Sequence, residues 1–188
     1  MNCPKEKPPI ALMPVDLGEG LTAQRCDQCE GVWIAADDYL AWRDRQGAQQ
    51  SADDLEAAPI ATVIQFEHAP QDDRGALCPG CGHILSRARA GLESSFYLER
   101  CDNCGGIWCD KGEWEVLKSL HLNASITHIF SPQWQVELRE REHEQHRAAT
   151  RKQLLGPDLA ARVETLAAEL ETYPHKDVAL AFLMQKLS

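Results

Sequence analysis

Apolar and polar residues change their periodicity several times along this chain of 188 residues. Residues 84–89 and 95–100 alternate with a period of two, which predicts the two arms of a β-hairpin. After Trp33, and again after Trp108, the spacing of apolar residues becomes that of a short amphipathic helix. From residue 121 onward the pattern is helical throughout. The chain is therefore expected to be small and α+β, with its helices gathered towards the C-terminus.

Capping residues set the expected starts of the two short helices. Asp110 and Glu113 have the spacing of a capping box, followed by an apolar face that includes Leu117. In the upstream stretch, Asp37 or Asp38 is expected to cap the equivalent helix.

The C-terminal part is predicted to contain three further helices. A charged, solvent-exposed helix is expected over 133–155 after the N-cap Ser131, and Gly156 ends it. The next helix carries an apolar stripe of Leu159, Val163, Leu166, Leu170 and Tyr173. A third helix over 178–187 is expected to fold against it as an αα-hairpin. Because such a hairpin has too little core alone, we expect it to dock on the rest of the protein or on another chain.

The cysteines add a chemical prediction to this pattern. Cys78 and Cys81 form one C-x2-C pair, and Cys101 and Cys104 form another, with nineteen residues between the pairs. Four-coordinate zinc uses this arrangement, since each pair offers two thiolates from one tight turn at about 2.3 Å from the metal. The sequence therefore predicts a structural Zn²⁺ ion bound by these four thiolates.

A second copy of this pattern lies upstream. Three cysteines and a tryptophan each precede their counterparts by 75 positions: Cys3, Cys26, Cys29 and Trp33 correspond to Cys78, Cys101, Cys104 and Trp108. The alignment needs no gap from residue 3 to residue 42, so the sequence contains an internal duplication. Each tryptophan is expected to cover the sheet of its own copy and to shield its metal.

The motif C-P-x-C, a hairpin-length spacer and C-x-x-C-G-G-I-W-x-D-x-G-E resembles the transcription-factor-IIB-type zinc ribbon family. The resemblance covers residues 3–45 and 78–120, and the second stretch fits nearly throughout. It implies a zinc-binding β-hairpin followed by a short helix, and an association with transcription. We therefore expect a small α+β protein of two tandem zinc ribbons, the first degenerate, with a helical C-terminal region. The expected divisions are 1–45, 46–77, 78–120 and 121–188.

The first copy departs from the motif at its first cysteine pair, where Glu6 stands in the place of Cys81. A carboxylate can bind zinc at about 2.0–2.2 Å, although oxygen is a harder donor than sulfur. Three interpretations stay open: Glu6 completes the site, water or another residue fills the fourth position, or packing holds the site without metal. We expect metal to bind, with Cys3, Cys26 and Cys29 as ligands.

The net charge of −10 bears on partners and location. An acidic chain repels phosphate, which disfavours sequence-independent binding to nucleic acids and favours a protein partner with a basic surface. The N-terminal residues contain no apolar run and no stretch has the length of a membrane span, so we expect neither a signal peptide nor membrane insertion. Paired cysteines without a secretion signal predict a reducing, cytoplasmic location.

One basic and aromatic cluster is nevertheless a candidate for binding nucleic acid. Arg87, Arg89 and Arg100, together with Tyr97, lie on the predicted hairpin arms of the second ribbon. They could stack and pair with a nucleic-acid strand. The alternative, a solvated strand face, agrees better with the overall acidity.

Several other residues are further candidates. Residues 60–66 are β-branched and apolar enough for a strand, and His68 beyond them could be a ligand of the incomplete site. Cys109 stands where the family usually has an aliphatic residue, and we expect it to be a buried apolar side chain more than a reactive thiol. His143 and His146 have a spacing that can bind metal, but a solvated helix surface is favoured in the absence of a third ligand.

Together these patterns predict a non-enzymatic, zinc-stabilised interaction module associated with transcription. Alternatives are a thiol-based redox switch or chaperone that uses a labile first zinc site, and nucleic-acid binding through the second ribbon. Catalytic zinc would require a water-filled fourth position in a cleft at the first site. The partner and the oligomeric state are left open.

Overall fold

A computed structural model describes residues 1–46, 69–70, 72–91 and 96–187 of the chain. Six strands and six helices lie within these ranges. The strands are β1 Met13–Asp16, β2 Thr22–Arg25, β3 Val32–Ile34, β4 Leu85–Arg89, β5 Tyr97–Cys101 and β6 Ile107–Cys109. The helices are α1 Ala36–Gln46, α2 Glu113–Ser119, α3 Ile126–Ile129, α4 Pro132–Leu155, α5 Pro157–Glu171 and α6 Lys176–Leu187. The predicted strand at 60–66 and His68 fall outside the described residues. The α+β class and the helical C-terminal region are confirmed.

The six strands form one antiparallel sheet in the order β1-β2-β3-β6-β5-β4. Each copy of the repeat contributes three strands, and the copies meet where β3 pairs with β6. The central pair of this junction is Trp33 opposite Trp108, flanked by Val32 opposite Cys109 and by Ile34 opposite Ile107. The 75-residue offset relates Val32 to Ile107 and Ile34 to Cys109, so the two flanking pairs are equivalent by the repeat. The sheet therefore has a pseudo-twofold axis that passes between the two tryptophans.

The junction is packed by each tryptophan against a glycine of the other copy. A Cβ atom on Gly31 would lie 2.3 Å from Cζ2 of Trp108, and one on Gly106 would lie 2.2 Å from Cζ2 of Trp33. Both indoles are almost fully buried. Each ring therefore packs against the neighbouring copy, whereas the sequence led us to expect that it would cover the sheet of its own copy. The reason is the edge-to-edge pairing of β3 with β6, which brings each ring over the other copy.

The two faces of the sheet bury different clusters. One face carries Val32, Ile34, Leu98 and Ile107 and belongs to the main hydrophobic core, which also takes residues from α1, α2, α3 and the start of α4. The opposite face carries Trp33 and Trp108, which pack with cysteines of both thiol clusters, among them Cys26 and Cys101. These cysteines and the helices therefore lie on opposite sides of the sheet.

Tyr39 joins α1 to the segment between α2 and α3. Its hydroxyl donates a hydrogen bond to the Asn123 carbonyl at 3.0 Å and accepts one from the Ile126 N–H at 3.1 Å. The ring is 1 % exposed and lies 6.0 Å from the Trp42 ring, which in turn meets Trp114 edge-on at 5.7 Å. These contacts attach α1, the helix of the first copy, to α2, the helix of the second copy.

The helix starts agree only in part with the capping predictions. The Glu113 carboxylate accepts a hydrogen bond from the Asp110 N–H at 2.8 Å, as in half of a capping box, but the N-cap of α2 is Gly112, with a φ of 82°. Helix α1 begins at Ala36, so Asp37 and Asp38 lie in its first turn. Their negative charges stabilise the helix there by interacting with the positive end of its dipole.

Ser131 caps α4 as predicted, since its Oγ accepts a hydrogen bond from the Trp134 N–H at 3.2 Å.

The chain divides into two compact units, Met1–Arg139 and the residues from Glu140 onward. In the second unit, Ala160 is the one buried side chain among the described residues. Several large apolar side chains of α5, α6 and their connection are 41–64 % exposed: Leu159, Val163, Leu166, Tyr173, Val178, Leu180 and Phe182. None of the helices in the described ranges has the length and hydrophobicity needed to cross a membrane.

Candidate metal centres

The second ribbon brings its four cysteine sulfurs into one cluster. The Sγ atoms of Cys78, Cys81, Cys101 and Cys104 lie within 4.8 Å of one another. The Cys78–Cys104 and Cys81–Cys101 sulfur pairs are 3.5 and 3.4 Å apart. A tetrahedron with 2.3 Å zinc–sulfur bonds has edges of about 3.8 Å, so a small outward adjustment of the thiolates would admit Zn²⁺.

Backbone hydrogen bonds shape the two turns that present these thiols. The Gly82 N–H donates to the Cys78 carbonyl at 2.9 Å, and the Gly105 N–H donates to the Cys101 carbonyl at 2.8 Å. Both glycines have positive φ values, 77° and 74°, which most other residues rarely adopt. Glycine at these two positions therefore lets each turn point two sulfurs to the same side.

The thiols of this cluster differ in their readiness to ionise. A hydrogen bond from the His83 N–H lowers the pKa of Cys81 to about 5, whereas burial raises the pKa of Cys78 to about 12. Zinc binds thiolates, so loading the site must displace protons from the more basic thiols. The affinity for zinc is therefore expected to rise with pH.

The first copy of the repeat gathers three thiols in the same manner. Cys3, Cys26 and Cys29 lie within 4.8 Å of one another, and the Cys3–Cys29 sulfur distance of 3.5 Å equals that of the corresponding pair Cys78–Cys104. Glu30 has a φ of 59° where the second ribbon uses Gly105, and its N–H donates to the Cys26 carbonyl at 3.0 Å. The turn is thus retained although its glycine is not.

The comparison with protein-family models gives one match. Residues 77–120 match the family described as transcription factor zinc-finger, whose model is the transcription-factor-IIB-type zinc ribbon. This segment is a zinc ribbon. The match covers the second copy, and the likeness of the first copy rests on the internal repeat and on its thiol cluster. No curated protein and no solved structure matches the chain.

Both thiol clusters fit Zn²⁺, in agreement with the predicted cofactor. The structure does not bring Glu6 into the first cluster, because its carboxylate does not lie within 4.8 Å of all three sulfurs. Nor does any other His, Cys, Asp or Glu of the described ranges join these thiols as a fourth ligand. The zinc ribbon at 78–104 therefore has a complete ligand set, and the first site has three ligands from the described part of the chain.

The side chain of Lys5 anchors the turn that carries Cys3. Lys5, which corresponds to Gly80 in the second copy, is 7 % exposed and extends into the protein. Its Nζ donates to Glu99 Oε1 at 2.8 Å and to the Arg74 carbonyl at 2.7 Å, and lies 3.4 Å from Asp110 Oδ2. The sequence does not indicate this role, since the pairing joins residues 94 positions apart and nothing local marks a lysine for burial.

Lys5 is part of a buried polar cluster near the junction of the ribbons. The cluster comprises Lys5, Asp72, Glu99, Asp110 and Glu113, all less than 10 % exposed. Burial raises the pKa of Glu99 to about 7 and that of Glu113 well above its usual range. Carboxylate oxygens of Asp72, Asp110 and Glu113 approach within 4.8 Å of one another. The raised pKa favours the protonated form of Glu113, and a neutral carboxyl would not repel Asp72 and Asp110.

Replacing Glu113 by Gln tests whether this carboxyl is protonated in the folded protein. A raised pKa means that the folded state keeps the proton at pH values where the unfolded chain, with a carboxyl pKa near 4.3, has lost it. The contribution of Glu113 to stability is therefore largest below the pKa of the unfolded chain, and it declines as pH rises towards the pKa of the folded protein. Glu113→Gln keeps an acceptor for the Asp110 N–H and removes this titration, so we expect the variant to be at least as stable as the wild type at pH 6 and to show a flatter decline towards pH 8.

Urea unfolding of the zinc-loaded protein at both pH values measures this effect. The exposed neighbour Glu115, changed to Gln, is the matched control and should reproduce the wild-type slope. A Glu113→Gln protein with the wild-type pH dependence would show that Glu113 is ionised when folded.

The candidate nucleic-acid residues do not form one patch. Strand pairing places Arg87, Arg89 and Tyr97 on the face with the thiol clusters, whereas Arg100 lies on the helix-covered face, 5.9 Å from the Phe130 ring. The reason is the alternation of side chains along β5, which separates Tyr97 from Arg100. Arg87 lies 4.4 Å above the Tyr97 ring.

Carboxylates already surround Arg87. Its Nη2 is 3.2 Å from Asp72 Oδ1, and its Nε is 3.5 Å from Glu99 Oε1. These ion pairs reduce the positive potential that a phosphate would meet.

Among the described residues, the remaining candidates are not members of either thiol cluster. Cys109 is fully buried, and burial raises its pKa well above the usual value, which makes the thiol unreactive. His143 and His146 lie on the exposed surface of α4, and neither belongs to a potential metal-binding group within the described residues.

Proposed function

We propose that this protein is a non-enzymatic interaction module in which zinc maintains the tandem ribbons and the C-terminal helices bind a protein partner. The observation that carries the proposal is the apolar surface of α5 and α6. Leu159, Val163 and Leu166 share one side of α5 and are 45, 42 and 41 % exposed, and Phe182 of α6 is 58 % exposed. Contiguous apolar surfaces of this kind usually mark sites of protein association.

Charge supports a protein partner over a nucleic acid. The net charge of −10 opposes the approach of a phosphate backbone, and Arg87 is engaged by Asp72 and Glu99. A partner with a basic surface would gain from attraction to this acidic chain, chiefly in its rate of association. The family resemblance makes a component of the transcription machinery a reasonable candidate.

A pull-down from native extract with the tagged full chain tests the docking surface. Leu166→Asp places a charge in the apolar stripe and is expected to abolish capture of the partner. Ala168→Asp introduces the same charge on the opposite side of α5, where the side chain is also exposed, and should leave capture unchanged. Equal capture by both variants and by the wild type would exclude this surface.

Binding to DNA and RNA is tested in parallel by fluorescence anisotropy at low and moderate salt. We expect no saturable binding. Binding that weakens steeply with salt and is lost in Arg89→Ala would instead favour the nucleic-acid alternative.

A redox or chaperone function is the second candidate, because the thiols of the first site have an incomplete ligand set within the described chain. Zinc content and thiol titration before and after mild peroxide distinguish the two. An interaction module retains its zinc, whereas a redox switch releases one equivalent as its thiols oxidise.

A further inference from the structure

The two thiol clusters differ in what holds their first cysteine turn in place. In the second ribbon, Gly80 stands between the ligands Cys78 and Cys81 and has no side chain to anchor the turn. In the first ribbon the equivalent residue is Lys5, whose side chain is buried in ion pairs with Glu99 and Asp110. The first turn therefore has an attachment to the protein that does not pass through a metal.

Backbone hydrogen bonds add to this attachment. The Cys3 N–H donates to the Ile10 carbonyl at 2.7 Å, and the Leu12 N–H donates to the Met1 carbonyl at 2.9 Å. These bonds pair the N-terminal segment with the residues that lead into β1. Cys3 thus stays near Cys26 and Cys29 through contacts made by its own segment.

The three thiols are also provided with donors that stabilise their negative charge. Backbone N–H groups of Lys5, Cys29 and Gly31 form hydrogen bonds to the sulfurs of Cys3, Cys26 and Cys29, in that order. Such bonds orient the ligands before metal arrives, which reduces the ordering cost of binding. Cys29 is the most accessible of the three, whereas Cys3 and Cys26 are 5 and 0 % exposed.

We propose that Cys3, Cys26 and Cys29 form an exchangeable metal site, in which a Zn²⁺ ion bound by three thiolates takes its fourth ligand from a small soft donor in solution, such as a thiolate or an imidazole. The second site, with four thiolates, is the structural one. The fourth donor takes the place of a bound water, so that no other bond changes. This inference goes beyond the proposed docking function and requires no protein partner.

Zinc release from the full chain loaded with two equivalents tests the exchange. A colorimetric chelator is added, and near-UV circular dichroism of the tryptophans is followed at the same time. One equivalent is expected to leave at least about tenfold faster than the other, since losing one coordination bond costs more than 1.4 kcal/mol. The dichroism should persist through the fast phase and disappear with the slow one.

One variant assigns the phases. Cys29→Ser is expected to remove the fast equivalent and to keep the dichroism. Release of both equivalents at one rate, or loss of dichroism with the first, would overturn the proposal. So would a protein that accepts one equivalent of zinc only, although zinc binding by the second ribbon would then still stand.

The external ligand is tested with Co²⁺ in the fast-exchanging site and zinc in the other. Adding imidazole is expected to shift the visible absorption of the cobalt, since a nitrogen donor replaces water in a three-thiolate site. The Cys29→Ser protein serves as the control and should give no such band. A cobalt spectrum that imidazole leaves unchanged would show that the protein itself supplies the fourth ligand. Capture of a partner through α5 is measured separately, so each proposal can fail alone.

Discussion

Gly106→Ala is expected to lower the free energy of unfolding by about 3 kcal/mol, the upper part of the range for overpacked sites. The added methyl group would lie 2.2 Å from Cζ2 of Trp33, and the ring cannot retreat because it is buried against the second ribbon. Gly31→Ala should have a similar effect through Trp108, which would lie 2.3 Å away. Urea unfolding of the zinc-loaded protein measures both changes.

Gly75→Ala is the matched control, since a Cβ at that position meets no atom within 4 Å. It should leave stability within about 0.5 kcal/mol of the wild type. A double-mutant cycle that combines Gly106→Ala with Trp33→Leu adds a sharper test. If the clash is the cause, the smaller side chain should recover part of the loss, which appears as a favourable coupling energy. Additive effects would locate the cost elsewhere.

Cys101→Ser is expected to abolish the zinc site of the second ribbon and with it the folding of that ribbon. Structural zinc contributes about 10–16 kcal/mol in zinc-finger peptides, whereas whole domains are stable by only about 5–15 kcal/mol. The contribution of zinc is thus as large as the entire stability of the protein. We expect the protein to lose one zinc equivalent, which metal analysis measures. We also expect it to lose its cooperative thermal transition, which near-UV circular dichroism measures.

Cys109→Ala controls for removing a buried thiol. Cys109 is fully buried on the helix-covered face and lies outside both clusters. Its replacement should cost about 1–2 kcal/mol for the lost packing and leave two zinc equivalents bound. If Cys101→Ser retained the same thermal transition as Cys109→Ala, zinc would not be the main support of the second ribbon.

The sequence was most informative where the determinants are local. The ligands Cys78, Cys81, Cys101 and Cys104 were predictable because each pair is contained in one turn and zinc restricts the spacing. The C-terminal helices were predictable for a similar reason, since capping residues such as Ser131 act on their own first turn.

Long-range features were not accessible in this way. The duplication predicts two similar ribbons, but no residue pattern in either copy predicts that β3 pairs with β6. The burial of Lys5 depends on carboxylates that lie far away in the sequence and meet it only in the folded protein. The separation of Arg100 from Arg87 follows from strand alternation, and grouping them by sequence proximity produced the wrong patch.

The pairing of β3 with β6 explains why the two copies belong on one chain. Each of these strands closes an edge that the other copy would otherwise leave open to unwanted association. Exchange of equivalent residues across the junction is the geometry that two identical polypeptides adopt when they assemble about a dyad. A single copy would expose this strand edge, and two such copies on separate chains would cover it by pairing as a homodimer.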